Sequence, residues 1–429
     1  MINSTSKLSL HALEIRTSAF IPIWSSLMQA MRFNFRTLCR NAAERGGQMQ
    51  QRLLDALDAR HTVKTLPEFG IERAAQLAGC TANHIRNLEG RGDLPVPRLV
   101  DAGSTQRRIY NYNEVTRIRE IIGKRPARPS GAHCVRVVFS NLKGGVAKTT
   151  MSLHFAQYLA REGYLVLLVD ADPQATITGA FGFIPDLDLG DGDDLFPALT
   201  EGADLLAQAV KRTHWDHLDL IPARLALQYT DWQLSQPEER LNAAMGPPPV
   251  RLHRALKTVE DRYDVIIIDT PPSLGMLSMN AIAAANLIVM PIVPHMYDIS
   301  SSVQYFRILE QVCALYEREI NVQRLNILLT KVDNSTETLN NIAVINGAYG
   351  ELILSNRMGL TKELQKSASD QVSIYEIDQP RGSRDTYNRA MMMLDGVNAE
   401  ILLAVRQLWQ QEVLSGIEAA EAGRGRALA

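Results

Sequence analysis

Apolar positions recur at helical spacing early in the chain, as in Leu27, Met31 and Phe35 and again in Leu53, Leu54 and Leu57. Residues 8–60 therefore read as helix. Gly46-Gly47 is expected to break or kink the run, and Arg16, Arg32, Arg36, Arg40 and Arg45 keep it basic. Such a helix cannot bury its apolar stripe alone, so either a second copy or its own chain must cover it. Residues 1–66 are assigned as an N-terminal helical dimerisation region. Residues 67–123 form a compact second unit. Lys124 to Ala132 holds two prolines and a glycine, which marks 124–133 as a linker. From Val135 the pattern changes to strand, Gly turn, helix, strand, which predicts a doubly wound, mostly parallel α/β sheet. That domain is placed at 134–410, with a small, polar C-terminal tail at 411–429. Asp186 to Asp194 lacks periodicity and reads as a surface loop.

Composition narrows the class. The chain has 429 residues, of which 46% are hydrophobic, enough for globular cores and more than one domain. Cys39, Cys80, Cys134 and Cys313 have no paired spacing. That argues against a disulfide framework or a zinc site and fits a reducing compartment. No stretch reaches the roughly 18 apolar residues of a membrane span. Ala19 to Met31 is interrupted by Pro22, Ser25, Ser26 and Gln29 and reads as helix rather than signal peptide. The formal net charge of −2 hides an asymmetry. Residues 1–130 hold 20 Lys/Arg and 11 Asp/Glu, and the remainder holds 25 and 36. A basic first third beside an acidic remainder points to nucleic acid as a partner of the first third.

Val135-Arg-Val-Val-Phe139 is a short strand, followed by Ser140-Asn-Leu-Lys-Gly-Gly-Val-Ala-Lys-Thr-Thr150 and an amphipathic helix to about Arg161. Strand, Gly-rich turn and helix start are the context of a phosphate loop. The nucleotide-binding segment comprises Lys143, Gly144, Gly145, Val146, Ala147, Lys148, Thr149 and Thr150. Gly144 and Gly145 let backbone amides turn toward phosphate oxygens, the helix N-terminus adds a positive field, and Lys148 reaches the outer phosphates. Thr149 is placed to coordinate Mg²⁺. Ala147 stands where a last glycine is usual, so the loop must tolerate a methyl group. A second apolar strand ends in Asp170-Ala-Asp-Pro-Gln174, delivering Asp170 and Asp172 to the edge where ligands bind in open α/β sheets. Such carboxylates orient an attacking water or support the metal. A third strand, Val265 to Asp269, has the form of a Walker B strand, whose aspartate supports Mg²⁺. Thr149, Asp170 and Asp269 are candidate metal residues and Lys148 and Asp172 candidate catalytic ones, with Asp170 and Asp172 each able to serve either role.

At these residues the chain resembles the ParA/MinD family of deviant Walker ATPases, and within it the long ParA-type partition proteins. Further matches are Asp269-Thr-Pro-Pro-Ser273, Asn280 to Ala285, Leu287 to Pro294 and Leu328-Leu-Thr-Lys-Val-Asp333. The resemblance spans about residues 135–405. It implies a homodimer formed around ATP, with ATP/ADP and Mg²⁺ as cofactors. It also implies that Lys143 crosses to the partner's phosphates and that Asp172 positions the hydrolytic water.

In Ile71 to Glu89, Ala75, Gly79 and Ile85 stand at i, i+4 and i+10, the spacing of a helix-turn-helix. The second helix would start near Thr81 and turn Thr81, Asn83, His84, Arg86 and Asn87 toward a major groove. Arg107-Arg-Ile-Tyr110 is a β-wing whose Arg107 and Arg108 contact phosphates, and Asn113 is expected to cap a closing helix. The segment resembles the MerR-type winged helix-turn-helix. In long ParA-type proteins such a unit implies operator binding and autorepression.

Arg357, Lys362, Lys366, Arg381 and Arg384 form a C-terminal basic set. By resemblance this region binds DNA without sequence preference, with Lys362 and Lys366 the leading contacts. The expected function is ATP-dependent plasmid or chromosome partition, in the cytoplasm and on the nucleoid, with a centromere-binding protein stimulating slow hydrolysis. Three alternatives carry less. A membrane-surface positioning ATPase would need an amphipathic tail. A metabolic P-loop enzyme would have no DNA-binding unit. A nitrogenase-type reductase needs a cysteine pair to hold a cluster between subunits.

Overall fold

A computed structural model describes residues 35–49, 52, 64–102, 105–236, 239–369, 371–377, 380 and 382–427. The expected helical stripe at Leu27, Met31, Leu53, Leu54 and Leu57 lies outside them, as do Arg16, Arg32 and Arg381. The chain divides into two compact units, 1–63 and 64–429. In the first, residues 35–49 form one helix, α1. Gly46 and Gly47 lie inside it, against the expected break. Neither has a positive φ; a glycine weakens a helix by roughly 1 kcal/mol relative to alanine but does not by itself end it.

The second unit begins with β1 (Phe69–Gly70), α2 (Ile71–Ala78), α3 (Ala82–Arg91), β2 (Arg98–Ala102), β3 (Thr105–Tyr110) and α4 (Tyr112–Ile121). Gly79, at φ 69°, ends α2 in the left-handed conformation, and Thr81 Oγ1 caps α3 by accepting from His84 N at 3.2 Å. β2 and β3 pair antiparallel, with Val100 opposite Arg107, and form the wing. Ala75, Ile85, Val115 and Ile118 build a shared core, as the spacing requires. The helix cap differs from expectation. Asn111, not Asn113, caps α4: its side chain accepts from Glu114 N at 3.1 Å, and Glu114 Oε2 accepts from Asn111 N at 2.7 Å. These two bonds form a capping box, which is available at Asn111 because an acid stands three residues on.

The larger sheet runs β10-β9-β4-β8-β5-β7-β6. Its strands are β4 (Val135–Phe139), β5 (Val166–Asp170), β6 (Lys211–Arg212), β7 (Leu218–Ile221), β8 (Val265–Asp269), β9 (Leu287–Ile292) and β10 (Arg324–Leu329). Neighbours pair parallel except β6 with β7. β4, β5 and β8 are buried at every position, as continuous apolar strands covered on both faces must be. One apolar core packs α5 (Lys148–Glu162) and the helix Arg384–Ala427 on one face, and a second fills the other. The last helix has 44 residues and runs through the boundary expected at 410. The tail expected at 411–429 is therefore helical through Ala427. Its Glu and Ala content favours helix.

The winged unit is docked on the ATPase body. Arg119 of α4 is buried; it donates to Leu77 O from Nη2 at 2.7 Å and to Arg161 O, on α5, from Nη1 at 2.6 Å. Tyr112 stacks on Trp215 with ring centroids 5.5 Å apart. Asn113 serves this junction: its Nδ2 donates to His214 O, and its Oδ1 accepts from Asp216 N, both at 3.0 Å. The segment expected to be a linker also lies along the body. Arg125 donates to Gly163 O at 3.0 Å, and Arg128 N to Asp264 Oδ1 at 2.9 Å. Glu376 Oε1 accepts from Gln157 of α5, His214 and Trp215 at 2.9, 2.7 and 3.0 Å. The phosphate-loop helix and the turn that carries the winged unit thus share one buried carboxylate.

Candidate functional site

The phosphate loop leaves the carboxyl end of β4, next to the ends of β8 and β9. It lines a cavity of about 260 Å³ with Gly144, Gly145, Ala147, Lys148, Thr149, Thr150, Asp172, Pro272 and Lys331. Gly145 takes φ 73° and Ala147 φ 72°. Only glycine adopts that conformation freely, and strain in other residues collects at functional sites. Among the described residues, two of the other three non-glycine residues with positive φ, Ala175 and Lys331, stand on loops of the same sheet edge. Val146 is not among the residues lining the cavity: it is buried, and its carbonyl accepts from Thr330 Oγ1 at 3.0 Å. That bond ties the loop to the end of β10.

Lys148 is 5% exposed, and its Nζ donates to Lys143 O at 3.1 Å. Burial pushes its ammonium down, and Asp269 and Asp172 pull it back up. Asp269 has no exposed surface. Burial raises its carboxyl well above the usual range, Asp170 raises it further, and the neighbouring hydroxyls of Thr149 and Ser152 lower it. Ser152 Oγ donates to Asp269 Oδ1 at 2.9 Å, while Oδ2 is buried with no hydrogen-bond partner. A buried, half-satisfied carboxylate beside a threonine hydroxyl fits a hard cation with oxygen ligands. The oxygen donors Thr149 and Asp269 therefore suit Mg²⁺.

Asp170 and Asp172, expected together, divide their work. Asp170 is buried; its Oδ2 accepts from Thr178 N at 3.0 Å and Thr178 Oγ1 at 2.8 Å, and its Oδ1 from Asp172 N at 3.3 Å. Asp170 thus shapes the loop that follows β5; like Asp269, its register partner on β8, it is not among the residues lining the cavity. Asp172 does line the cavity. Lys143, expected at the phosphates, ion-pairs with Asp298 in the first turn of the helix Met296–Leu315. Sequence reasoning missed Ser152, Thr330, Lys331 and Asp298. Ser152 was within reach of it, one helical turn beyond Lys148. The other three meet the loop only through the fold of the sheet.

On the winged unit, Thr81, Asn83, His84, Arg86 and Asn87 are all exposed on α3. Arg86 donates to Asn83 Oδ1 at 2.7 Å and lies 3.8 Å from Glu72. Arg108 is held by Glu89 at 2.9 Å, and Arg107 has no ion pair among the described residues. Arg73, Arg86, Arg107 and Arg108 border a cleft of about 420 Å³ between α2, α3 and the wing. Lys362 and Lys366 are exposed on the helix Lys362–Ser369, and Arg357 and Arg384 are exposed nearby in sequence.

The family described as AAA domain matches residues 135–322. SopA of Escherichia coli strain K12 is 31% identical, covering 80% of this chain and 90% of its own. The chain belongs to the ParA-type partition ATPases. A putative replication protein A of Sinorhizobium fredii is 30% identical, covering 82% of this chain and 89% of its own. A solved structure called partition protein shares the fold, with TM-score 0.61 and 17% identity over 84% of this chain and 98% of that one. As a member of this family the chain is a P-loop ATPase that uses ATP. Among the described residues no helix is long and apolar enough to cross a membrane.

Proposed function

We propose that this ATPase partitions DNA through ATP-dependent dimerisation and represses its own operon through residues 67–123. Residues 144–150 and the Lys148 ammonium hold the phosphates. Thr149 and Asp269 hold Mg²⁺, which when bound neutralises phosphate charge. Asp172 orients the attacking water. Lys143 crosses to the nucleotide of a second copy. α3 enters a major groove with Asn83, His84, Arg86 and Asn87 at base edges and Thr81 at its start, while Arg107 and Arg108 contact phosphates. Lys362 and Lys366 give DNA binding without sequence preference, and a centromere-binding protein stimulates turnover. The site of action is the cytoplasm, on the nucleoid.

The observation that carries this reading is the docked winged unit: an exposed helix face and a basic cleft fixed to an ATPase body through Arg119 and Asn113. A metabolic P-loop enzyme has no use for it. The test measures binding of the full chain to random duplex and to its own upstream DNA with no nucleotide, with ADP and with ATP. Upstream DNA should bind specifically, and random DNA should bind only with ATP and with a steep salt dependence. The Lys362→Ala, Lys366→Ala double variant should flatten that salt slope and leave DNA-free turnover intact. Equal random-DNA affinity in the ADP and ATP states would leave a repressor with an attached ATPase and no partition switch.

A further inference from the structure

Asp298 stands at a place where a carboxylate is costly. It is 4% exposed, and apart from the Lys143 ammonium beside Oδ1 its carboxylate has no hydrogen-bond partner among the described residues. The ion pair with Lys143 and the first turn of the helix Met296–Leu315 are what compensate its charge among the described residues. Lys143 itself is partly exposed, with 41% of its side chain open. The ammonium can leave with little rearrangement; the carboxylate cannot follow it into solvent. The residues before Asp298, Met296 and Tyr297, are 63% and 85% exposed. They offer a second copy two large apolar side chains beside the ion pair.

We propose that Asp298 is a cis holder for Lys143: it keeps the lysine on its own chain and sets the threshold at which ATP draws it to a second copy. The inference rests on the reading of Lys143 as a residue that crosses between copies. The two positions of the ammonium exclude each other, since one Nζ cannot meet both Asp298 and the partner's phosphates. Every lysine transferred leaves a nearly buried carboxylate without its cation. Dimer formation is therefore opposed until a nucleotide with enough phosphate charge occupies the partner. A nucleotide without that charge does not overcome the cis pair, so the holder sharpens discrimination between the triphosphate and the diphosphate.

The test compares full-length wild type with Asp298→Asn and Asp298→Glu in sedimentation velocity, titrated with Mg²⁺ and a slowly hydrolysed ATP analogue and, separately, with ADP. Asparagine keeps the size of the side chain and removes the charge. Asp298→Asn should form dimer at about three- to tenfold lower analogue concentration, because the competent position of the lysine is no longer depleted. It should also gain some dimer with ADP. Asp298→Glu should stay near wild type. Analogue binding to the dilute, monomeric protein should be unchanged, which separates a holder from a residue that merely supports the site. An unchanged or raised dimerisation threshold in Asp298→Asn, with its thermal unfolding intact, overturns the proposal. If Asp298→Asn does not fold, a wild-type threshold in Asp298→Ala or a threshold lowered equally in Asp298→Glu does the same. Lys143→Ala separates the layers. If it dimerises with analogue as wild type does, the crossing lysine is wrong and the holder falls with it. If it fails to dimerise while Asp298→Asn shows no shift, only the holder falls.

Discussion

The nucleotide cavity and the face of α3 use side chains in opposite ways. At the cavity Lys148, Asp170 and Asp269 are buried, and strained backbone at Ala147 and Lys331 sets the walls. On α3 the residues that face outward are exposed, and Ala82, Ile85 and Leu88 hold the helix to its core. In the first region each charge is fixed by its neighbours before any ligand arrives. In the second the scaffold is fixed, and the outward side chains are exposed to solvent, with Arg86 tied to its exposed neighbours Asn83 and Glu72. Substitutions should then act on the cavity as losses of an event, and on α3 as graded losses of affinity.

The largest effect expected is at Lys148. Lys148→Ala removes the buried ammonium proposed to meet the outer phosphates, so ATP affinity should fall by at least about a hundredfold, a loss on the scale of a charge-assisted contact in a dry site. Isothermal titration checks this, and unchanged affinity would refute the assignment. Asp172→Ala removes one loop hydrogen bond, from Gln174 N at 2.9 Å, but Asp170 still holds the backbone through Thr178 N and Asp172 N. The variant should bind ATP normally and hydrolyse it roughly a hundred- to ten-thousandfold more slowly. An equal loss of binding and turnover would make Asp172 a structural residue instead.

Next in size is the junction between the two regions. Arg119→Ala leaves Leu77 O and Arg161 O without their donor, at a cost of about 3 kcal/mol. The winged unit should then unfold or detach at lower temperature than the ATPase body. Calorimetry should resolve two transitions where wild type gives one; a single transition at the wild-type temperature would show that Tyr112 and Asn113 suffice. On α3 the effects are smaller. Arg86→Ala should lower discrimination between upstream and random duplex by roughly 1–3 kcal/mol if it reads a base. Arg107→Ala should weaken all duplexes alike and reduce the salt slope by about one unit. Fluorescence anisotropy at several salt concentrations separates the two.

The same contrast explains what could be read from the chain alone. The phosphate loop and the helix-turn-helix are local patterns: Lys143 to Thr150 lies on one turn, and Ala75, Gly79 and Ile85 lie within two helices. Periodicity and turn chemistry suffice for such segments. The capping box is equally legible, since Asn111 and Glu114 are three apart, but Asn113, two positions later, carries the same helix-start side chain and competes with it as a cap. The contacts that define the junction and the cis ion pair were not legible. Arg119 with Arg161, Asn113 with His214 and Lys143 with Asp298 join residues distant in sequence, and no period in the chain encodes which of them meet. The helical tail was hidden by a different cause. Small, polar residues from Ser415 onward suit either loop or helix, and the preceding helix decided for the second.

The smallest effect expected tests how each region obtains a left-handed turn. In the winged unit the position is held by glycine: Gly79 has φ 69°, and a Cβ there would come no nearer than 3.9 Å to its nearest neighbour, in Lys124. Gly79→Ala should therefore cost only backbone strain, roughly 1–2 kcal/mol, offset by roughly 0.4–1 kcal/mol from the stiffer unfolded chain. At the phosphate loop Ala147 accepts that strain at φ 72° and packs its methyl against the core. Ala147→Gly relieves the strain, worth roughly 1–2 kcal/mol. It also loses the methyl contact, about 0.8 kcal/mol, and frees the unfolded chain, a further cost of roughly 0.4–1 kcal/mol. These terms nearly cancel, so the melting temperature should move by no more than about 2 °C in either direction, with ATP affinity kept. A drop well beyond that would mean that the methyl, rather than the backbone, shapes the loop. The left-handed turn at the cavity would then be held by packing, where that of the helix-turn-helix is held by the freedom of glycine.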